Sequence, residues 1–455
     1  VLIVFFVFRK TFDLPDRTDR SHMKEVRKQE CSRKENDMAV FNTIIGMGAT
    51  VMMPIIFFIL GLIFKVGPGK AFKAGMTVGI GFTGINMVVN LLLGSLGPAA
   101  QDMAERFGLK LTVVDVGWAT GAAIGWASPL IPFIVAGAIL LNVFLLLINK
   151  TKIINIDIFN YWLISFVGTM VYVASGNMVL GVAAALVLYL LAFIIGDLTA
   201  EPIQKMYNIK GVGFVHATCA IYVPIGIAVN WIIEKIPGLN KIELNPEKIT
   251  KTLGVLGEPV ALATILGAGL GFLAGWPVNK VLPLAVDVAA VMVLLPKMVE
   301  VTVEGVMVIR DAAEIHMKKL FPNREFYFGM DTALLIGEPS IIATSLLLIP
   351  TALVLAMILP GNKMLPFTDL ASIVFLISMA APFCKRNMFR IYLTGIVILV
   401  ISLYAGTSLG PVYTTAAKEA KVKVSVEGQE LGNLVSPYNT PVGWAMIKCA
   451  ELFKK

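Results

Sequence analysis

The chain has 455 residues, 57% of them hydrophobic and only 15% charged, with a mean hydropathy of +0.81. Soluble domains run nearer half apolar and a quarter charged, so these proportions exclude a soluble globular protein and indicate an all-α polytopic membrane protein. The net charge of +8 does not point to nucleic acid, because lysines and arginines gather in short loops between apolar stretches, where they set orientation.

Residues 1–37 open on VLIVFFVF, too short to span a bilayer, and continue from Arg9 to Asp37 as a dense run of mixed charge. That segment is expected to be disordered, an extension upstream of Met38, with a truncated signal or anchor as the alternative. Apolar stretches of span length then run from Phe41 to Phe64, Ala74 to Leu96, Pro129 to Ile148, Ile158 to Gly176 and Met178 to Gly196. Further ones cover Val212 to Ile233, Leu256 to Gly275, Val281 to Pro296, Thr332 to Leu359, Pro366 to Pro382 and Phe389 to Gly406. The expected architecture is about 10–11 transmembrane helices with re-entrant elements. The glycine-rich stretch from Val114 to Ser128 reads as re-entrant or interfacial, and Glu234 to Gly254 as a polar loop bridging two units. Residues 38–408 form the expected transmembrane domain, and 409–455 a polar tail whose short amphipathic end, PVGWAMIKCAELFKK, lies on the membrane surface.

Cations fix the orientation. Lys65, Lys70 and Lys73, then Lys150 and Lys152, then Lys385, Arg386 and Arg390 mark cytoplasmic loops, and Lys297 to Arg324 falls on the same side. Parity then requires one stretch between Val212 and Pro296 not to cross, and the one opening near Leu256 is the expected candidate. Lys297 to Arg324 also reads as an amphipathic helix, either a docking surface for a soluble partner or a solvated connector.

The chemistry is carried by isolated polar residues. No Walker loop, dinucleotide fingerprint, HExxH or GxSxG elbow is present, and Cys31, Cys219, Cys384 and Cys449 form no CxxC pair, so neither a metal site nor a cofactor is expected. Gly257-Glu258-Pro259 and Gly337-Glu338-Pro339 each open an apolar run. A carboxylate inside a span costs roughly 2.5–3.5 kcal/mol and is a functional candidate by default. Proline drives the preceding residue out of helical geometry yet fits the first helical turn, so each motif reads as a helix break with free N–H groups beside a carboxylate. Glu258 and Glu338 lead the candidate site, with a structural cap as the bland reading of each. His216, between Gly213 and Pro224, is either a site residue or a satisfied core histidine. Asp115 faces a vestibule or holds its loop, and Asn86 and Asn90 bind a polyol or glue helices together. Asp331 and Asp157 read first as helix caps. Trp118, Trp126 and Trp162 read as interface anchors that could also stack on a sugar.

Several strings resemble the galactitol-type IIC permeases of the bacterial phosphoenolpyruvate-dependent sugar phosphotransferase system: KAFKAGMTVGIGFTGINMV, GSLGPAAQDMAERFGLKLTVVDVGW, INIDIFNYW, HATCAIYVPIGIAVNWIIEKIPG, GMDTALLIGEPSIIATSLLLIP and LPGNKMLPFTDLA. The resemblance runs from Met38 to about Ser408 and is carried by their order and spacing. It implies a homodimeric permease of the cytoplasmic membrane, related to ascorbate-type IIC proteins, with a scaffold and an elevator-like transport core. A soluble IIB component, phosphorylated on its own cysteine and recharged by IIA, would phosphorylate the polyol. The slots of Glu258, His216 and Asp115 match the family pattern, and Glu258 and His216 are the residues expected to act on the substrate hydroxyl. The rival is an ion-coupled secondary transporter in which Glu258 and Glu338 bind protons or sodium.

Overall fold

Helix boundaries follow the chain's own punctuation. The computed structural model describes residues 49–108, 111–321, 324–366, 368–422 and 429–453, so the charged segment 1–37 lies outside the described residues. The first half of the described chain contains α1 (Ala49–Ile63), α2 (Pro68–Arg106), β1 (Val113–Asp115), α3 (Trp118–Ala127), α4 (Ile131–Leu147), β2 (Ile153–Asn155), α5 (Phe159–Ser175), α6 (Met178–Tyr207), β3 (Val212–Phe214) and α7 (Cys219–Lys235). After a linker helix, α8 (Pro246–Leu253), come α9 (Pro259–Leu273), α10 (Val278–Leu320), β4 (Tyr327–Met330), α11 (Pro339–Ile358), β5 (Met364–Leu365), α12 (Ile373–Ser378), α13 (Met388–Glu419), β6 (Glu430–Gly432) and α14 (Pro441–Glu451). Gly176, left-handed at φ 70°, stops α5, and the Asn177 side chain accepts from Val179 and Leu180 N–H to start α6 two residues later. Glu258 and Glu338 stand in extended geometry with α9 and α11 beginning at the following proline, as the proline rule requires.

The protein is an all-α polytopic membrane protein with two very small sheets. Among the described residues, five helices are long and apolar enough to cross a membrane: α2 over Pro68–Met103, α6, α10 over Val278–His316, α11 and α13. α3 and α4, bent by 94° at their junction, make a sixth if taken as one span, and α1, α5 and α9 are apolar but shorter. Each of the eleven apolar stretches therefore contains a helix, but several are cut short by strands and turns at depth. The bend places the glycine-rich Val114–Ser128 stretch against α5: a Cβ on Gly125 would lie 2.9 Å from the Trp162 carbonyl oxygen.

Element order repeats. Helix–long helix–strand–helix–helix–strand–helix–long helix–strand–helix describes both α1–α7 and α9–α14, with the counterpart of α3 reduced in the second half to a 3-10 turn at Thr332–Leu334. The two sheets interlock the halves. One sheet has the order β5-β1-β6 and the other β2-β4-β3, all parallel, so each takes its central strand from one half and its two edges from the other. The long helices α2 and α10 cross closely, where a Cβ on Gly305 would meet the Ala74 carbonyl oxygen at 2.7 Å.

β3–α7 and the stretch opening near Leu256 lead to opposite ends of the molecule. In the last turn of α7, Glu234 accepts from Lys385 Nζ at 2.6 Å, while α6, before β3, ends among Lys205 and Lys210, beside Arg310 and Arg324. α9 does reach the far end of α2, where Arg106 donates to the Phe272 and Leu273 carbonyls at 3.0 Å. The expected boundary at residue 408 falls inside α13. Beyond it, β6 pairs with β1, and Leu434, Tyr438 and Ile447 are fully buried, so the polar look of this segment comes from buried turn residues rather than from a surface tail.

Candidate functional site

Parallel strands send their C-terminal ends to one side, and in both sheets those ends carry acids. In the β2-β4-β3 sheet, Asp331 follows β4 directly, Asp157 stands two residues after β2 and His216 two after β3. In the β5-β1-β6 sheet, Asp115 ends β1, Asp369 follows β5 by four residues and Asn433 follows β6. A cavity of about 230 Å³ lies where the two halves meet. Its polar wall is Asn86 of α2, His216, Thr218 and Asp331; its apolar wall includes Phe82, Phe159, Phe375 and Val435. Trp118 of α3 and Trp162 of α5 also line it, their rings stacked 6.1 Å apart at 27°.

The histidine is held in one state by the backbone. Its Nδ1 accepts from the N–H groups of Thr218 at 3.3 Å and Cys219 at 3.2 Å, capping the start of α7. The ring's other nitrogen, Nε2, lies 3.9 Å from Asp331 Oδ2, too far for a direct hydrogen bond. Asp331 Oδ1 accepts from Ala333 N–H at 2.7 Å, closing the turn before α11. Asp157 Oδ1 accepts from Phe159 N–H at 2.8 Å, while its Oδ2, Asn160 Oδ1 and Thr218 Oγ1 are buried without a hydrogen-bond partner among the described residues. Buried polar atoms are normally satisfied, so a cluster of orphans beside a cavity is where a polar ligand or water completes the network.

The sequence-derived candidates divide. Asn86 and His216 line the cavity, and Asp331, Trp118 and Trp162 join them. Asp115 does not line it, because its carboxylate is engaged with backbone: Oδ1 accepts from Gly117 N–H at 3.0 Å and Oδ2 from Asp369 N–H at 2.8 Å. Glu338 does not line it either. Oε1 of Glu338 accepts from Arg386 Nη2 at 3.0 Å and Ser340 Oγ at 2.9 Å, and Gly337 packs against Pro296 of α10. Glu258 is exposed at the start of α9, between the 3-10 turn Gly254–Gly257 and Pro259, and its side chain does not cap that helix. Thr218, Asn160 and Asp369 escaped the sequence reading. The signal for Asp369 was positional: VVD, INID and MLPFTD each put an aspartate at or just after a short apolar strand.

A second depression, of about 510 Å³, opens at the other end of the β2-β4-β3 sheet. Lys205, Lys210, Arg310 and Arg324 line it with Glu201, Glu314 and Glu325, over a floor that includes Phe64, Tyr327 and Phe328. It lies at the N-terminal ends of the strands whose C-terminal ends carry His216 and Asp331.

A many-span helical protein whose interlocked halves enclose a small cavity of neutral and acidic hydrogen-bonding groups is a permease for a polar solute. Over residues 43–428 the chain matches the family described as PTS system sugar-specific permease component (EIIC-GAT), and it belongs to that family. It is 37% identical over 412 residues to the PTS system galactitol-specific EIIC component of Escherichia coli (strain K12), covering 90% of each chain. The galactitol-specific EIIC component of Escherichia coli O157:H7 is similar to the same extent. The chain is thus an integral inner-membrane permease component of a sugar phosphotransferase system, a class that works with IIA and IIB components and a sugar substrate. These relatives give no support to an ion-coupled secondary transporter.

Proposed function

We propose that the chain carries a galactitol-like polyol across the cytoplasmic membrane and presents it to phosphorylated IIB. The observation that carries this is the cavity wall. An amide, an imidazole N–H, a hydroxyl and one carboxylate supply acceptors and donors with no lysine or arginine among them, and two indole faces suit C–H groups; this suits an uncharged polyol rather than an anionic solute. The galactitol specificity of the named relatives supports the choice of polyol.

The docking place we assign to IIB is the cation-rich depression. His216 follows the cleft residue Gly211 by five residues and Asp331 follows Tyr327 by four. At roughly 3.3 Å per residue, about 13 Å of strand lies between them, so the IIB segment that carries the phosphoryl group would have to extend from the cleft past the strands to reach the substrate. We further assign α1, α2, α9 and α10 to a fixed scaffold that supports a homodimer, and the remaining helices to a core that moves in elevator fashion. In that scheme Asp115 holds the core's outer turn together. Glu258 and Glu338, beside Gly257-Pro259 and Gly337-Pro339 at cytoplasmic helix starts, act in the inward-facing state.

The test is reconstitution in sealed vesicles with phosphorylated IIB and a panel of galactitol, a pentitol and an aldohexose. The expected product is the phosphate of one polyol, appearing on the IIB side only. Accumulation of unmodified solute driven by an ion gradient would refute the reading. Glu258→Gln is expected to slow coupled uptake while leaving the protein in the membrane; normal uptake in that variant would remove Glu258 from the mechanism.

A further inference from the structure

The hydrogen bonds around His216 decide which group can take the proton of the substrate hydroxyl. A neutral imidazole has one donor nitrogen and one acceptor nitrogen. The acceptor lone pair here is Nδ1, already committed to the N–H groups of Thr218 and Cys219. The proton therefore resides on Nε2, and a doubly protonated ring would set Nδ1–H against two donors. His216 is thus a fixed donor toward the cavity with no basic lone pair to offer there. Across 3.9 Å stands Asp331 Oδ2, on a carboxylate whose other oxygen is anchored by Ala333 N–H. An oxygen placed about 2.8 Å from both Nε2 and Oδ2 would subtend roughly 90° between them, a workable angle for a hydroxyl that accepts from one and donates to the other.

Resting on the reading above, we infer that Asp331 is the catalytic proton acceptor for the substrate hydroxyl and that His216 is a tautomer-locked donor that positions the same oxygen. In the transfer step the hydroxyl oxygen forms a bond to the phosphorus carried by the phosphorylated partner protein. The bond from phosphorus to the partner's side chain breaks with its electron pair leaving on that side chain, and the hydroxyl proton passes to Asp331 Oδ2. Phosphoryl transfer demands alignment more than covalent work from the protein, so a held hydroxyl and one nearby base suffice. The groups facing Asp331 are few. They are His216 on the β3–α7 turn, Cys219 on α7 and Asp157 on the β2–α5 turn, with Tyr161 behind Asp157; the cavity-lining residues of α2 (Phe82, Ile85, Asn86, Val89) and α12 (Phe375) carry no titratable group.

The experiment measures polyol binding and single-turnover phosphorylation by phosphorylated IIB, against pH, in vesicles bearing wild type, Asp331→Asn or His216→Gln. Asp331→Asn is expected to lower the phosphorylation rate by about 10²-fold or more while binding changes only several-fold. His216→Gln keeps a donor near the Nε2 position but cannot take a proton. It is expected to lose rate only modestly, with polyol binding lowered in proportion. Wild-type rates in Asp331→Asn, loss of polyol binding itself in that variant, or a fall in rate in His216→Gln as large as that in Asp331→Asn would each overturn the assignment. If wild type forms no polyol phosphate at all, it is the proposed function that fails instead.

Discussion

Breaking the Glu338–Arg386 pair should cost very different amounts depending on which partner is removed. The Glu338 side chain is 11% exposed and that of Arg386 41%, so only the carboxylate is nearly withdrawn from solvent. Arg386→Ala strands that carboxylate, which retains only Ser340 Oγ and the start of α11. Losing the partner of a buried charge costs about 3–5 kcal/mol, and the remaining contacts put this case near 3, or roughly a hundredfold in the folded-to-unfolded ratio. Glu338→Gln instead leaves a half-exposed guanidinium that keeps water and Glu247, whose Oε1 lies 3.5 Å away, at a cost of about 0–1 kcal/mol. The double variant removes the stranded charge and should recover most of the loss. The assay is thermal loss of monodisperse protein in detergent, with the order Arg386→Ala below the double variant, and the double variant below or level with Glu338→Gln. Equal damage from the two single changes, or no recovery in the double, would refute the burial argument and with it the placement of Glu338 away from the substrate.

Three further outcomes are expected. Asn86→Ala removes one neutral hydrogen bond worth about 0.5–1.5 kcal/mol, so polyol affinity measured by binding should fall roughly 2- to 12-fold with the maximal phosphorylation rate little changed. Reversing Lys205 and Lys210 to glutamate in the cytoplasmic cleft should raise the KM for phosphorylated IIB, increasingly at low salt, without altering polyol binding. Hydrogen bonds from Lys385 and then Arg390 hold the Glu234 carboxyl down to about 2. A folded value below the unfolded one gives stability that is present above the usual carboxylate range and lost as pH falls toward 2. The difference in thermal stability between wild type and Glu234→Gln should therefore be constant above about pH 5 and should close in acid.

Much of the scaffold was legible because membrane chemistry writes it into the chain. Apolar runs, the proline rule at Pro259 and Pro339, and cation-bearing loops give spans, helix starts and sidedness from local physics alone. What was not legible depended on pairing at a distance. Three-residue strands carry no periodicity to detect, so neither sheet was foreseen, and residues after 408 looked like a tail although β6 pairs with β1. The site suffered likewise. Glu258 and Glu338 drew attention because a carboxylate in an apolar run is costly, yet one is relieved by solvent and the other by Arg386. Asp331 and Asp157 looked like caps, and each does cap its turn. Only the fold shows that Asp331 has its second oxygen turned toward His216.

The internal repeat explains why one of two matched acid pairs is the reactive one. Asp115 and Asp331 occupy equivalent turns after the central strands, as do Asp369 and Asp157 after the edge strands. In the β5-β1-β6 sheet both carboxylates serve backbone: Asp115 takes Gly117 and Asp369 N–H, and Asp369 takes Trp118 and Val435 N–H. These bonds staple the α3 turn to the β6 turn, and the position matching His216 is Leu434, fully buried. In the β2-β4-β3 sheet each aspartate spends one oxygen on its own turn and leaves the other beside a histidine, an asparagine and a threonine. A buried carboxylate whose lone pairs are all spent on amides is a structural staple, whereas one with a lone pair left over is costly to keep unless something binds there. By that criterion the duplicated framework leaves its unspent carboxylate oxygens on the β2-β4-β3 sheet, the one that also borders the cation-lined depression.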